Sequence, residues 1–234
     1  MTTIGVVIPC HKPHIPLLKE CLDSIEAQTD KPDKVLVMCS SSMPDDIPES
    51  YRNYSFLLEI VTREGRYNAA ENRNEGIKRM NTDCISFFDA DDSMHPQRIE
   101  MIRKHMGGAD ILFHGYQTES RQFESITNPI VHKNQLIRTD TGCVVFDPLR
   151  LVEDYYKNNR TTFDHSYTEW KKPLHHAQVC VRRYLFDYLK FPETKELETR
   201  GGEDALFCGM IVSMGHIQTI FIENSLSWYR LRSN

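Results

Sequence analysis

Three carboxylates stand within four residues at Asp89-Ala90-Asp91-Asp92, directly after Phe87-Phe88. Like charges this close disfavour one another's ionisation, and a strand end tolerates them most easily around a cation. Oxygen ligands on a turn suit Mg²⁺ or Mn²⁺, and such an ion would in turn hold a diphosphate. The competing reading is an acidic cap for the helix that Pro96 opens, since Asp92 and Ser93 favour the positive end of a helix. Placement after an apolar strand, where open α/β sheets bind ligands, favours the metal. A second acidic pair, Glu203-Asp204, follows Gly201-Gly202 and starts an amphipathic segment. Paired acids there can be dipole complementation alone. Two glycines, however, let the backbone turn tightly and a ligand come close, and a carboxylate so held could act as a general base toward a hydroxyl. The third feature, Asn68-Ala69-Ala70-Glu71-Asn72-Arg73-Asn74, reads by default as a solvated face on the first turns of a helix, with a phosphate or base contact from Arg73 as the sharper reading.

Other residues carry less. His11 with His14, and the adjacent His175-His176, lack a third ligand at zinc-site spacing and read as structural. The motifs HExxH, GxSxG, GxxxxGK[ST] and GxGxxG are missing, which removes zinc proteases, α/β-hydrolases, P-loop kinases and typical dinucleotide binders. Tyr167, Trp170 and Trp228 could stack on a sugar or base, against the commoner core role of aromatics.

The elements that must position these groups alternate strand and helix. Ile4–Pro9, Val35–Cys39, Phe56–Val61 and Cys84–Phe88 are apolar on both faces, as strands of a buried parallel sheet. One helix opens at His14-Ile15-Pro16 and carries Leu18, Cys21, Leu22 and Ile25 on one stripe. A second runs past Ala69, Ala70, Ile77 and Met80, and a third from Pro96 through Arg103. Beyond Asp110, strand-like pieces at 111–116 and 143–146 lack crossover helices, so mixed or antiparallel additions are expected. Asn158–Pro173 reads as loop, Ala177–Arg182 as a strand followed by a further helix. In the helix after Gly202, the expected buried stripe is Leu206, Phe207, Met210, Ile211 and Met214, with Gly215 as its stop. Two strands, Ile217–Ile222 and Ser225–Leu231, end the chain.

Composition sets outer limits. In 234 residues, 28 Lys+Arg against 33 Asp+Glu leave a net charge of -5, so no footprint for general nucleic-acid binding exists and any phosphorylated ligand must bind locally. The longest apolar stretches fall far short of the roughly 18 residues of a membrane span. The first residues lack a basic n-region before an apolar h-region, so no secretion signal is read and the expected place of work is the cytoplasm, including the membrane surface. Seven cysteines, never closer than eleven apart, exclude CxxC motifs and read as reduced core thiols.

Taken in order, Ile8-Pro9, the 68–77 stretch ending Gly76-Ile77, Phe88-Asp89-Ala90-Asp91-Asp92 and Gly202-Glu203-Asp204 resemble the inverting glycosyltransferases of family 2. Ala177–Arg183 with Leu185-Phe186, and Trp228-Tyr229-Arg230, are similar to further segments of that family, so the resemblance spans residues 3–232. It implies a GT-A fold: an α/β architecture with a Rossmann-like, mainly parallel central sheet flanked by helices and a small antiparallel addition in the second half. It implies one domain over 1–234, with a nucleotide-binding half at 1–110 and an acceptor-binding half at 111–234. It further implies a nucleotide-diphosphate sugar donor, a UDP-sugar favoured, with Mn²⁺ or Mg²⁺, and a glycan, lipid-linked or protein acceptor. Carried onto these residues, Pro9 contacts the nucleotide through main chain, Arg73 approaches the base or phosphates, and Asp89 and Asp91 lie near ribose and metal. Of the implied metal ligands Asp91 and Asp92, the resemblance leaves open which is the direct one, as the family's short acidic motif can be registered either way here. Asp204 is the catalytic base, with Glu203 and Trp170 on the acceptor side. One departure stands out: the family commonly ends its second strand with a base-contacting Asp, whereas this chain has Cys39-Ser40-Ser41-Ser42. A Ser40 hydroxyl would hydrogen-bond a base edge more weakly, which predicts weaker donor affinity. Two rivals remain. A sugar-phosphate nucleotidyltransferase usually has a glycine-rich Arg/Lys stretch where Cys10-His11-Lys12-Pro13 stands, and a catalytically silent carbohydrate-binding protein is suggested by the missing Asp.

Overall fold

The computed structural model describes residues 1–147, 174–193 and 202–231. Its first strands, β1 (Ile4–His11), β2 (Lys34–Ser40), β3 (Leu58–Arg63) and β4 (Cys84–Phe87), lie parallel in the order β3-β2-β1-β4. Strand alternation divides the apolar residues between two faces. Val6, Ile8, Val35 and Val37 enter one core with Leu18, Cys21, Leu22 and Ile25 of helix α1 (Ile15–Glu26), while Val7, Leu36 and Met38 enter another with Ala70 of α2 (Ala69–Arg79). Gly76 allows α2 to lie that close: a Cβ there would fall 2.6 Å from Val7 Cγ1. The acidic turn leads through β5 (Ser93–Met94) into α3 (Arg98–His105), whose Ile99 and Ile102 join the α1 side.

The second half extends the same sheet. β6 (Ile111–Gln117) is followed by three short strands, β7 (Val131–Lys133), β8 (Leu136–Arg138) and β9 (Val144–Phe146). β10 (Cys180–Arg182) inserts antiparallel between β4 and β6, and β11 (Thr219–Trp228) runs parallel to β6 and antiparallel to β5 and β7. β8 and β9 pair as the small antiparallel addition that the sequence leads one to expect, and pack with α4 (Glu203–Val212) on the α2 side. Nine strands among the described residues thus form one mixed α/β sheet between two helical layers.

Three expectations change. The two terminal strands are one, β11, whose register shifts between Ile222 and Ser225 and again before Trp228. The irregularity faces Gly115, where a Cβ would come 2.4 Å from Glu223 O, so a bulge rather than a turn separates the two apolar runs. In α4 the buried residues are Ala205, Phe207, Cys208, Gly209 and Ile211, while Met210 is 37% exposed. The turn closes over the Gly142 carbonyl, which a Cβ at Gly209 would meet at 2.1 Å, and this backbone contact sets the helix's rotation. The helix also ends at Val212, before Gly215. The expected strand 177–182 reduces to Cys180–Arg182 after a 3₁₀ turn at His176–Gln178, and the helix after it is the 3₁₀ turn Arg183–Asp187. The loop expected at 158–173, Trp170 with it, lies outside the described residues. No helix among the described residues is long and apolar enough to cross a membrane.

Candidate functional site

A cavity of about 400 Å³ opens at the carboxyl ends of β1 and β4, where open sheets place their ligands. Pro9 and His11 line it from β1, Asp89 and Asp91 from the acidic turn, Tyr67 and Arg73 from the start of α2, and Glu203 and Asp204 from the start of α4. His175 and Tyr229 close the remaining side.

Helix α2 organises the site. Asn68 caps it reciprocally with Glu71: Asn68 Oδ1 accepts from Glu71 N at 2.9 Å and Glu71 Oε2 from Asn68 N at 2.8 Å. The following Asn72, Arg73 and Asn74 are buried, contrary to the default reading of a solvated face, because each holds a different loop. Asn72 Oδ1 accepts from Arg63, and Asn74 clamps Phe191 through both its backbone N–H and its carbonyl. Arg73, 3% exposed, donates to Asp89 at 3.1 Å and to Glu203 at 2.9 Å. Burial opposes its charge, but Asp89, Asp204 and Glu203 outweigh it and raise its pKa. Arg73 therefore ties the two acidic features together instead of standing free in the cleft.

In the acidic turn, Asp92 has no exposed surface and does not line the cavity. It accepts from Gln178 Nε2 and from the Arg230 backbone N–H at 2.8 Å. Burial, then the charges of Asp89 and Asp91, push its pKa up to about 8 against the pull of the Arg230 N–H. Burial likewise raises Asp89 to about 6, against its ion pair with Arg73. Arg230 Nε fixes the Asp91 carbonyl at 3.0 Å. Below the turn, Arg98 is wholly buried, donating to the carbonyls of Phe87 and Gln178 at 3.1 and 3.2 Å and to His114 Nε2 at 3.0 Å. Burial lowers its pKa to about 10, and the charges of Asp89 and Asp92 are among those that offset this.

Ligand atoms of Asp89, Asp92 and His175 lie within 4.8 Å of one another. His175, set aside on sequence spacing, stands in place of Asp91 in this group. The only sequence signal for it was its adjacency to His176. Burial lowers its pKa to about 4, which leaves a neutral ring nitrogen able to ligate at neutral pH. Two oxygens and one imidazole nitrogen, with two carboxylates made costly by burial, are a donor set that fits Mn²⁺ or Mg²⁺.

Asp204 lines the cleft at the first turn of α4, entered through Gly202 at φ +99°, and its Oδ1 accepts from Ala205 N at 2.7 Å. Glu203 beside it is engaged by Arg73. Ser40 departs from expectation. It is fully buried, does not line the cavity, and donates to Cys10 O at 3.3 Å and Tyr67 O at 3.1 Å, so its hydroxyl holds backbone rather than facing a ligand.

Comparison with known proteins gives a consistent result. The model of glycosyl transferase family 2 matches residues 5–141. An uncharacterized glycosyltransferase of Haemophilus influenzae is 25% identical over 134 residues, 54% of this chain and 44% of that protein. Another, YwdF of Bacillus subtilis, is 28% identical over 109 residues, 47% and 40% of the two. The match thus spans less than half the length of either relative. Among solved structures, Staphylococcus aureus TarS 1-349 in complex with UDP superposes with a TM-score of 0.65 at 17% identity over 98% of this chain and 60% of that one. The mannosyltransferase PcManGT of Pyrobaculum calidifontis, in complex with GDP-Man and Mn²⁺, gives 0.63 at 16% over 100% and 58%.

Proposed function

This chain belongs to glycosyltransferase family 2, and on that premise we propose that it transfers a sugar from a nucleotide-diphosphate donor to an acceptor hydroxyl with inversion. The observation that carries the reading is the convergence of Asp89, Asp91, Arg73 and Asp204 on one cleft. Asp204 acts as general base: its carboxylate takes the acceptor proton as the hydroxyl oxygen bonds to the anomeric carbon, and the departing diphosphate takes the electrons of the broken bond. One displacement inverts the centre. Asp89, Asp92 and His175 would hold a divalent cation, Mn²⁺ or Mg²⁺, with Asp91 beside them. That ion would neutralise charge on the leaving diphosphate. Pro9 and its neighbours border the nucleotide through main chain. Arg73 keeps Glu203 away from proton transfer and sets the distance between the acidic turn and α4. Residues 1–110, joined by His175, supply the donor side, and the rest of 111–234 the acceptor side for a glycan, lipid-linked or protein hydroxyl. TarS with UDP and PcManGT with GDP-Man and Mn²⁺ support a donor and a metal of these classes.

The test is a titration of UDP and GDP with and without Mn²⁺, followed by Asp204→Asn. Expected are metal-dependent binding that the substitution leaves intact, and turnover that falls by roughly two to four orders of magnitude. Absence of metal-dependent nucleotide binding, or full turnover in Asp204→Asn, overturns the reading.

A further inference from the structure

The nine-stranded sheet ends differently on its two sides. One edge is β5, two residues long, and the other is β3, six residues long. Short length and proline are common ways to keep an edge from pairing with another chain, and β3, Leu58-Glu59-Ile60-Val61-Thr62-Arg63, has neither. Main-chain direction alternates along a strand. Leu57 O accepts from Val35 N at 2.8 Å and Arg63 O from Ser42 N at 3.1 Å, so odd-numbered residues face β2, while Leu58, Ile60 and Thr62 direct N–H and C=O outward. Among the described residues these outward groups meet no backbone partner. All six residues of β3 are half-buried, and a cavity of about 290 Å³ opens beside Leu58 and Ile60, with Ile47 and Tyr51 in its wall.

We infer that β3 is the docking edge for a second copy of this chain, paired antiparallel about a two-fold axis that runs through Val61 perpendicular to the sheet. Such a contact is isologous, so every pairing occurs twice. In an antiparallel ladder only residues of like main-chain direction oppose one another, which limits the register to steps of two. With Val61 opposite Val61, Ile60 and Thr62 of the second copy form a hydrogen-bonded pair, and Glu59 stands opposite Arg63 of the second copy. Both charges are already held in place, Glu59 by Lys34 at 2.7 Å and Arg63 by Asn72 Oδ1 at 3.0 Å. Opposite charges facing across strands stabilise a pairing, and like charges oppose it. Sliding the register by two sets Val61 against Glu59 or Arg63 instead and loses both charge pairs. Charge complementarity therefore selects one register, and selects this chain as its own partner. The same pairing brings the cavities beside Leu58 and Ile60 of the two copies to one side of the continued sheet.

The experiment measures solution mass by light scattering, over a range of concentrations, for wild type, Thr62→Pro, Glu59→Arg and Arg63→Glu. Thr62→Pro removes one outward N–H and leaves the ladder to β2 intact. Wild type is expected at twice the 27.3 kDa of one chain, and Thr62→Pro at that of one. Glu59→Arg sets arginine opposite arginine, and Arg63→Glu sets glutamate opposite glutamate, so each alone should lose the dimer. Mixed in equal amounts the two should regain it, because the arginines of one then face the glutamates of the other. If the charge variants do not fold, Thr62→Pro decides alone. A monomeric wild type overturns the inference and gives the edge to a strand of another protein. A dimer that survives Thr62→Pro, or folded charge variants that stay monomeric when mixed, overturns it equally.

Discussion

Asp92 lies wholly under protein with N–H donors from Gln178 and Arg230, whereas Asp204 sits at the open first turn of a helix with one backbone N–H upon it. The same side chain is thus prepared for two tasks. Around Asp89 and Asp92, burial makes negative charge costly, and that cost is what an incoming cation relieves. Around Asp204, the cleft leaves a carboxylate oxygen accessible to an acceptor proton. Two carboxylate clusters in one cleft stay distinct because Arg73 stands between them, bonded to Asp89 on one side and Glu203 on the other.

Removing that bridge is the harshest way to break the contrast. Arg73→Met leaves two half-buried carboxylates without their cation and should cost about 3–5 kcal/mol, read as a lowered denaturation midpoint together with lost transfer. A variant as stable as wild type would show that the clusters are held apart by something else.

The pH dependence sharpens the contrast with a smaller effect. Asp92 has a folded pKa raised to about 8, above the roughly 3.9 of an unfolded chain. At intermediate pH the folded state binds the extra proton, so stability falls as pH rises toward 8. The imidazoles of His114, His175 and His176, whose pKa values are lowered, act with the opposite sign below about 6.5, so the window for Asp92 lies above that. Asp92→Asn should therefore melt close to wild type near pH 6.5 and gain a few degrees on it near pH 8.5. Over the same interval Mn²⁺ should stabilise wild type increasingly. Parallel melting curves for the two proteins would dissolve the distinction.

The smallest effect is expected at Glu203→Gln, which keeps an oxygen for Arg73 Nη1. It should cost about 1 kcal/mol of stability and leave turnover largely in place. Loss matching that of Asp204→Asn would make Glu203, not Asp204, the group that handles the proton.

Much of this was legible before any coordinates because it is local. The parallel strands, α1 and the acidic turn follow from apolar runs, proline at a helix start and carboxylates after a strand. What was not legible depends on contacts distant in sequence. Nothing near His175 announces that it meets Asp89 and Asp92. The Ser40 hydroxyl is engaged because residue 67 returns over it. Ile222 and Ser225 looked like the ends of two strands because the bulge between them is set by Gly115, more than a hundred residues earlier. The rotation of α4 follows from a single backbone contact at Gly142, which periodicity does not encode.

The insertion of β10 between β4 and β6 bears on how the chain reaches this structure. Cys84 pairs with Arg182 across nearly a hundred residues, so the centre of the sheet cannot close until well after both strands beside it, β4 and β6, have been synthesised. Until then β4 is an open edge, available to any other strand. A search dominated by such distant pairing is slow, and the interval before β10 docks is when a nascent chain is most exposed to self-association.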